Sequence, residues 1–268
     1  FSVIGGVLAV PLTYTLARRL DSHRLGALSS LLVSTAPYLV WYSQEAKMYA
    51  VLTASVLLSW YLYLRALKGG GWAVWTGYVV ATSLSMYLHL VAVFLIPAQA
   101  VAFLLWWRRY RGRIRPWLAA MAVLILPYLP FARWEIPLLF SDFETGHAFY
   151  PLNQILTILL QAFSLGIAPR PTLRVHFPLQ GSVSLSVYSG LIVPLFLALA
   201  ALLLYQRRKS LQLVLCWLLL PPAIAYLVSL GIPIFNARYL IWTAPAFVLL
   251  LGMGLVAVRE QSRPFFII

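Results

Sequence analysis

Apolar segments of about 20 residues recur almost end to end along this chain, the length a helix needs to cross the hydrocarbon core of a bilayer. A backbone in lipid must satisfy its own hydrogen bonds, so helices and closed barrels are the only spanning solutions. Barrel strands show short alternating segments instead of continuous apolar runs, which leaves helices. The pattern reads as nine spans, roughly at 2–17, 25–42, 48–66, 72–88, 90–107, 117–134, 187–205, 211–230 and 239–257. Pro11, Pro97, Pro127, Pro194, Pro221 and Pro222 fall inside them, where neighbouring helices can satisfy the freed carbonyls. Composition agrees: 62% of residues are hydrophobic and 10% charged, against ~45–50% and ~25% in soluble domains. The expected fold is all-α, a polytopic transmembrane helix bundle forming one domain over 1–268. The single cysteine, Cys216, excludes an internal disulfide. The chain opens on Phe1 inside an apolar stretch and reads as a segment of a longer membrane protein.

The net charge of +14 is a topology signal. Alternate connections collect Arg18, Arg19 and Arg24; Arg65 and Lys68; the run from Arg108 to Arg115; Arg207, Arg208 and Lys209; and Arg259 and Arg263. Lys47, Arg133, Arg170, Arg174 and Arg238 fall on the other side. The richer set is cytoplasmic by the positive-inside rule, and the nine spans alternate without violation. Basic residues dispersed between spans exclude a nucleic-acid footprint, which needs one contiguous patch. Four carboxylates, Glu45, Glu135, Asp142 and Glu144, lie on the outer side, so chemistry that uses acids belongs there.

The outer connections are unequal. Those at 43–47 and at His89 are very short, whereas 135–186 forms a long extracytoplasmic loop. Within it Pro151 can begin a helix, and Leu152, Ile155, Leu156, Leu159, Leu160 and Phe163 recur at helical spacing. This piece is too short to span, so it lies on the membrane or packs over the bundle.

The polar run Trp41-Tyr42-Ser43-Gln44-Glu45-Ala46-Lys47-Met48-Tyr49 interrupts the apolar pattern. A Glu and a Lys are costly in lipid unless they sit at its edge or in a wet cavity. Tyr38, Trp41, Tyr42, Glu45 and Tyr49 would share one helical face, setting a carboxylate among aromatic rings as sugar sites do. An ordinary interfacial turn is the competing reading. Arg238, followed by Tyr239, breaks the charge trend and so calls for an anionic partner, a phosphate or a carboxylate such as Glu45. His89 can bind phosphate or sugar, shuttle a proton, or serve structure alone. Asp142, Glu144 and His147 can hold a divalent cation through the long loop, or form a solvated acidic stretch.

At these residues the chain resembles a known family. Tyr42-Ser43-Gln44-Glu45-Ala46-Lys47-Met48-Tyr49-Ala50 is similar to the "YSQEAR-x-YAL" signature of bacterial family 39-type membrane glycosyltransferases. These are related to dolichyl-phosphate-mannose protein mannosyltransferases and to aminoarabinose lipid A transferases. Phe1-Ser2 through Leu8 with Tyr14 to Leu20 resembles the family's "FS-x-x-x-G-x-L…Y-x-L-x-RRL" span. Tyr87-Leu88-His89 with Ala98-Gln99, and Asn236-Ala237-Arg238-Tyr239-Leu240 with Pro245-Ala246, resemble two further motifs. Lys47 stands where arginine is usual.

The resemblance implies a GT-C fold in the plasma membrane. It implies a hexosyl- or pentosyltransferase moving a sugar from a polyprenyl-phosphate donor to a lipid, glycan or protein acceptor on the extracytoplasmic side. Substrate-binding residues would be Tyr42, Gln44, Glu45, Lys47, Tyr49, His89, Arg238 and Tyr239; a divalent cation is a candidate cofactor. The family's catalytic Asp lies in an outer loop after the first span. This chain opens at what reads as a later span, so no residue here takes that role. A transporter or flippase for a lipid-linked or anionic substrate and a non-catalytic scaffold are the alternatives. The first would show ionisable residues near the bilayer midplane, whereas charges here cluster at span ends.

Overall fold

A computed structural model describes residues 1–126, 129, 133, 137, 146–166, 185–206 and 208–262, the side chains of 185–190 excepted. Among these residues every regular element is helical: α1 (Ser2–Leu20), α2 (His23–Thr35), α3 (Pro37–Gln44), α4 (Tyr49–Leu67), α5 (Trp72–Leu88), α6 (Leu95–Leu105), α7 (Trp107–Tyr110), α8 (Ile114–Ile125), α9 (Leu152–Leu165), α10 (Leu185–Leu204), α11 (Arg208–Ser229) and α12 (Ala244–Ser262). Short 3₁₀ turns, Leu90–Phe94 and Ala237–Thr243, lead into α6 and α12.

Among the described residues four spans qualify by length and composition, and up to six if each bent pair is one span. This is coarser than the nine spans of the sequence pattern. The pattern's single span at 25–42 is broken: α2 and α3 meet at 56°. Pro37 lacks an N–H and disfavours a helical conformation at Ala36, whose φ and ψ are −64° and 113°. The segments Leu90–Leu105 and Trp107–Ile125 likewise meet at 84°. Trp75 and Trp106 are buried in the bundle, while Trp72 is exposed.

The segment at 135–186, expected as a long outer loop, is described only in part. Its helix α9 begins at Leu152, with Pro151 as the cap rather than the first helical residue. It packs over the bundle, burying Ile155, Leu159, Ala162 and Phe163 while leaving Leu152 and Leu156 exposed. Gly166 closes it at φ 73° against Pro37, a conformation glycine adopts without steric cost.

Helix α4 and the last span are the centre of the bundle, 72% and 83% buried against 28% for α1. Lipid tails are as apolar as leucine, so close packing and internal hydrogen bonds must hold helices together. Both are present. A Cβ on Gly5 would stand 2.6 Å from the Val51 nitrogen, so α1 lies directly on the start of α4. Between α4, α5 and α6 runs a buried polar ladder. Ser55 Oγ donates to the Ala81 carbonyl (2.9 Å), and Ser85 Oγ donates to Ser55 Oγ (3.0 Å). Ser59 meets Thr82 at 2.8 Å, and Gln99 Nε2 donates to Ser59 Oγ at 3.1 Å. The Tyr78 hydroxyl donates to Gln99 Oε1 (2.6 Å) and the Tyr63 hydroxyl to the Gln99 carbonyl (2.8 Å).

Replacing Gln99 by leucine strands the Tyr78 hydroxyl and removes a donor to Ser59, both fully buried. We expect a loss of roughly 1–3 kcal/mol per stranded group, read as a lower melting temperature in detergent. Gly5→Val should cost about 1–3 kcal/mol by overpacking, because the opposing atoms are backbone.

Candidate functional site

Five segments converge at one end of the bundle. Helix α3 stops at Gln44, and Glu45 leaves it in an extended conformation (φ −81°, ψ 133°). Helix α4 restarts at Tyr49. The single-face reading of the polar run is therefore corrected. Tyr38 and Tyr42 do share a face of α3, with rings 5.0 Å apart. Glu45 is off the helix, Trp41 is 43% exposed, and Tyr49 reaches Tyr42 across the turn with ring centroids 5.3 Å apart. The turn itself is held from two sides. The Lys47 N–H donates to the Glu45 carbonyl at 2.7 Å, and Ser2 Oγ of α1 donates to the Lys47 carbonyl at 2.7 Å. Gly6 lets α1 approach Ser43, whose side chain a Cβ would strike. The Ser2 and Gly6 of the first motif thus serve the polar run of the second.

From Tyr49 an aromatic chain continues across the bundle end. Tyr49 and His89 have ring centroids 6.1 Å apart, His89 and Tyr239 4.5 Å, and Tyr239 and His147 5.5 Å in an edge-on pair. The Tyr239 hydroxyl and His147 Nε2 are hydrogen-bonded at 3.2 Å. The Arg238 guanidinium lies over the Tyr239 ring at 5.4 Å, a cation–π arrangement. Asn236 caps the 3₁₀ turn by accepting from the Arg238 N–H at 3.3 Å, which aims Arg238 and Tyr239 into the cluster.

Sequence pattern thus named residues that fold together: Tyr42, Tyr49, His89, Arg238 and Tyr239. Glu45 and Lys47 stand at the rim as an ion pair, Lys47 Nζ to Glu45 Oε1 at 2.8 Å. Glu45 and Arg238 both lie within electrostatic reach of the Tyr49 hydroxyl. Glu45 Oε2 and Arg238 Nε are buried without a hydrogen-bond partner among the described residues. Gln44 is exposed at the end of α3, and no side-chain hydrogen bond joins it to the cluster. His147, grouped in the sequence with Asp142 and Glu144 as either a cation site or a solvated acidic stretch, is hydrogen-bonded to Tyr239. Asp142 and Glu144 lie outside the described residues, as do Arg170 and Arg174. Among the described residues no three His, Cys, Asp or Glu side chains gather as a metal site. No spacing could have joined His147 to Tyr239, which are 92 positions apart.

The histidines are tuned to stay neutral. Burial, and then the Arg238 charge, push the His89 imidazole below its ordinary value, and the same two causes act on His147. His89 Nδ1 accepts the Val91 N–H at 3.3 Å, so the neutral ring carries its proton on Nε2 and can donate.

A family model described as dolichyl-phosphate-mannose-protein mannosyltransferase matches residues 1–134. The chain belongs to this family. The matched half carries the polar run, Tyr49 and His89, whereas His147, Arg238 and Tyr239 join the cluster from outside it. Comparison with curated proteins and with solved structures gives no match. Family membership and the apolar helices together make the chain a multi-pass membrane protein of a glycosyltransferase family.

The lowered histidine values set a pH prediction. In the unfolded chain these imidazoles bind protons below about pH 6.5, while the folded protein resists until lower pH. Stability is therefore complete above that value and declines as pH falls toward the folded values. Melting curves between pH 8 and pH 5 should show this decline, about the range over which histidine titrates. His89→Gln should make it shallower.

Proposed function

We propose that this chain forms the donor-binding part of a family 39-type, GT-C membrane glycosyltransferase, acting from a polyprenyl-phosphate sugar on the extracytoplasmic side. One observation carries the reading: Arg238 sits with its Nε unpaired among Tyr49, His89 and Tyr239 at the end of the bundle, and an apolar cavity opens at Ser43 of the polar run that borders this cluster. That cavity, about 310 Å³, is lined by Val7, Val10, Val33, Leu39, Val40 and Ala50 and reaches Ser43 of the polar run. An isoprenoid tail needs such apolar walls, and its phosphate then meets the polar cluster.

In the transfer, the acceptor hydroxyl oxygen bonds the anomeric carbon, the bond from that carbon to the phosphate oxygen breaks, and the hydroxyl proton passes to a base. Charge develops on the leaving phosphate, which is where fixed donors lower the barrier most. Arg238 is the cation for that charge. Its fork can meet two phosphate oxygens. Lys47 takes a lesser part than its motif position suggests, because Glu45 already neutralises it. His89 is a hydrogen-bond donor through Nε2 rather than the base, since its Nδ1 is occupied and a cation stands beside it. Tyr42 and Tyr49, both buried, form the aromatic wall behind the site, and the Glu45 carboxylate at the rim can accept a sugar hydroxyl.

The assay is transfer of radiolabelled sugar from a polyprenyl-phosphate donor by the full-length protein in vesicles. Arg238→Ala should lower kcat/KM by about 100-fold or more, and Arg238→Lys should recover part of it. An unchanged rate and donor affinity in Arg238→Ala sinks the phosphate role. Movement of labelled donor across the vesicle without transfer would instead favour a flippase.

A further inference from the structure

The opposite end of the bundle holds a second constellation that sugar transfer does not use. Helix α4 carries the chain from Tyr49 to Lys68, about 28 Å away at 1.5 Å per residue. There four cations from four separate segments line one recess of about 190 Å³. Arg19 comes from the last turn of α1, Lys68 from the end of α4, Arg109 from α7 and Lys209 from the first turn of α11. Trp106 and Tyr110 form its aromatic wall. The recess adjoins a wider opening that Lys68 and Arg109 share with Arg113.

Its walls are built rather than splayed. Ser210 Oγ donates to the Leu20 carbonyl at 2.6 Å and ties the start of α11 to the end of α1. Trp106 Nε1 donates to Gln212 Oε1 at 3.3 Å, which fixes the indole against α11. Arg19 lies over the Tyr61 ring at 5.1 Å, and Arg109 over Tyr110 at 5.8 Å. Lys68 Nζ donates to the Arg19 carbonyl at 3.3 Å, which leaves two ammonium protons for another acceptor. Among the described residues the one ion pair is Glu45 with Lys47, so none of these four cations has a carboxylate partner.

Cations that serve topology alone gain by spreading into water. Here like charges are gathered in a concavity, where each disfavours the others. The Lys68 ammonium shows it: burial, then Arg19 and Arg109, lower its pKa. A bound anion reverses that cost. Guanidinium forks and an ammonium suit phosphate oxygens. Basic pockets between membrane helices, flanked by interfacial aromatics, are where anionic headgroups lodge. We propose that this recess binds the phosphodiester headgroup of an anionic membrane phospholipid, clamping the ends of α1, α4, α7 and α11 together.

The test uses the complete detergent-solubilised chain and native mass spectrometry with phosphatidylglycerol or phosphatidylcholine. Phosphatidylglycerol should be retained in preference and should raise the melting temperature of the unaltered protein, whereas phosphatidylcholine should not. Each Lys or Arg near an anionic surface contributes roughly a fivefold change in affinity. Lys68→Gln with Arg109→Gln should therefore weaken retention about 25-fold, while Lys68→Arg keeps it. Arg65→Gln with Arg108→Gln removes equal charge from the same end but outside the recess, and should leave retention near its original level. Equal losses in the two double variants would overturn the proposal, since only general surface charge would then matter. Absence of any preference between the two lipids in the unaltered chain would overturn it without recourse to variants. Displacement by millimolar inorganic phosphate, with no preference for the anionic lipid, would assign the recess to a free anion and also overturn it.

Discussion

The register of α4 against α5 is the constraint on which the candidate site rests. Inside a bilayer a serine or glutamine that loses its partner finds no water to replace it. The ladder from Ser55 and Ser85 through Ser59 and Thr82 to Gln99 therefore admits one alignment in which every rung closes. Sliding either helix by one residue would turn several hydroxyls toward apolar side chains. Tyr49 begins α4 and His89 follows the last residue of α5, so that alignment sets their 6.1 Å approach. The ring chain through His89 to Tyr239 depends on it in turn.

Close backbone approach supplies the second fixed distance. Gly5 and Gly6 bring α1 against Val51 and Ser43, and Ser2 reaches the Lys47 carbonyl. A polar turn at a membrane edge would otherwise be held by water alone. Here it is held by a helix, so the Glu45–Lys47 pair projects from a defined frame. The two ends of the bundle then differ in chemistry. One gathers tyrosines, neutral histidines and a single arginine beside a carboxylate; the other gathers four cations in a recess whose described lining residues include no carboxylate. The first suits a phosphate that must arrive and leave, because few charges hold it. The second suits an anion that stays.

Much of this was legible in the residue pattern. Apolar run length announced spanning helices because the bilayer thickness is a fixed ruler. The polar run, His89 and Arg238 stood out because charge in an apolar chain is costly and needs a reason. Pro37 was passed over among the prolines inside the spans: a proline in a membrane helix can kink, break or merely bend it, and only the surroundings of Ala36 decide. The break sets where α3 begins, and its separate end at Gln44 puts Glu45 beyond the helix. His147 was legible only as a loop residue near two acids.

By itself, the sequence determined the class of fold, the family and the residues worth attention, since each follows from local run length, charge cost or a contiguous motif. Tertiary structure alone decided which of them meet. Tyr49, His89, His147 and Tyr239 are brought together by helix packing across nearly the whole chain, and Gln99 acquires its role only through donors and acceptors on two other helices. The same holds for the basic recess: Arg19, Lys68, Arg109 and Lys209 looked like four separate topology signals, and only packing makes one cavity of them. Run length and charge act along the chain, whereas hydrogen bonds and cavities require atoms in space, and that difference divides what could be read from what had to be seen.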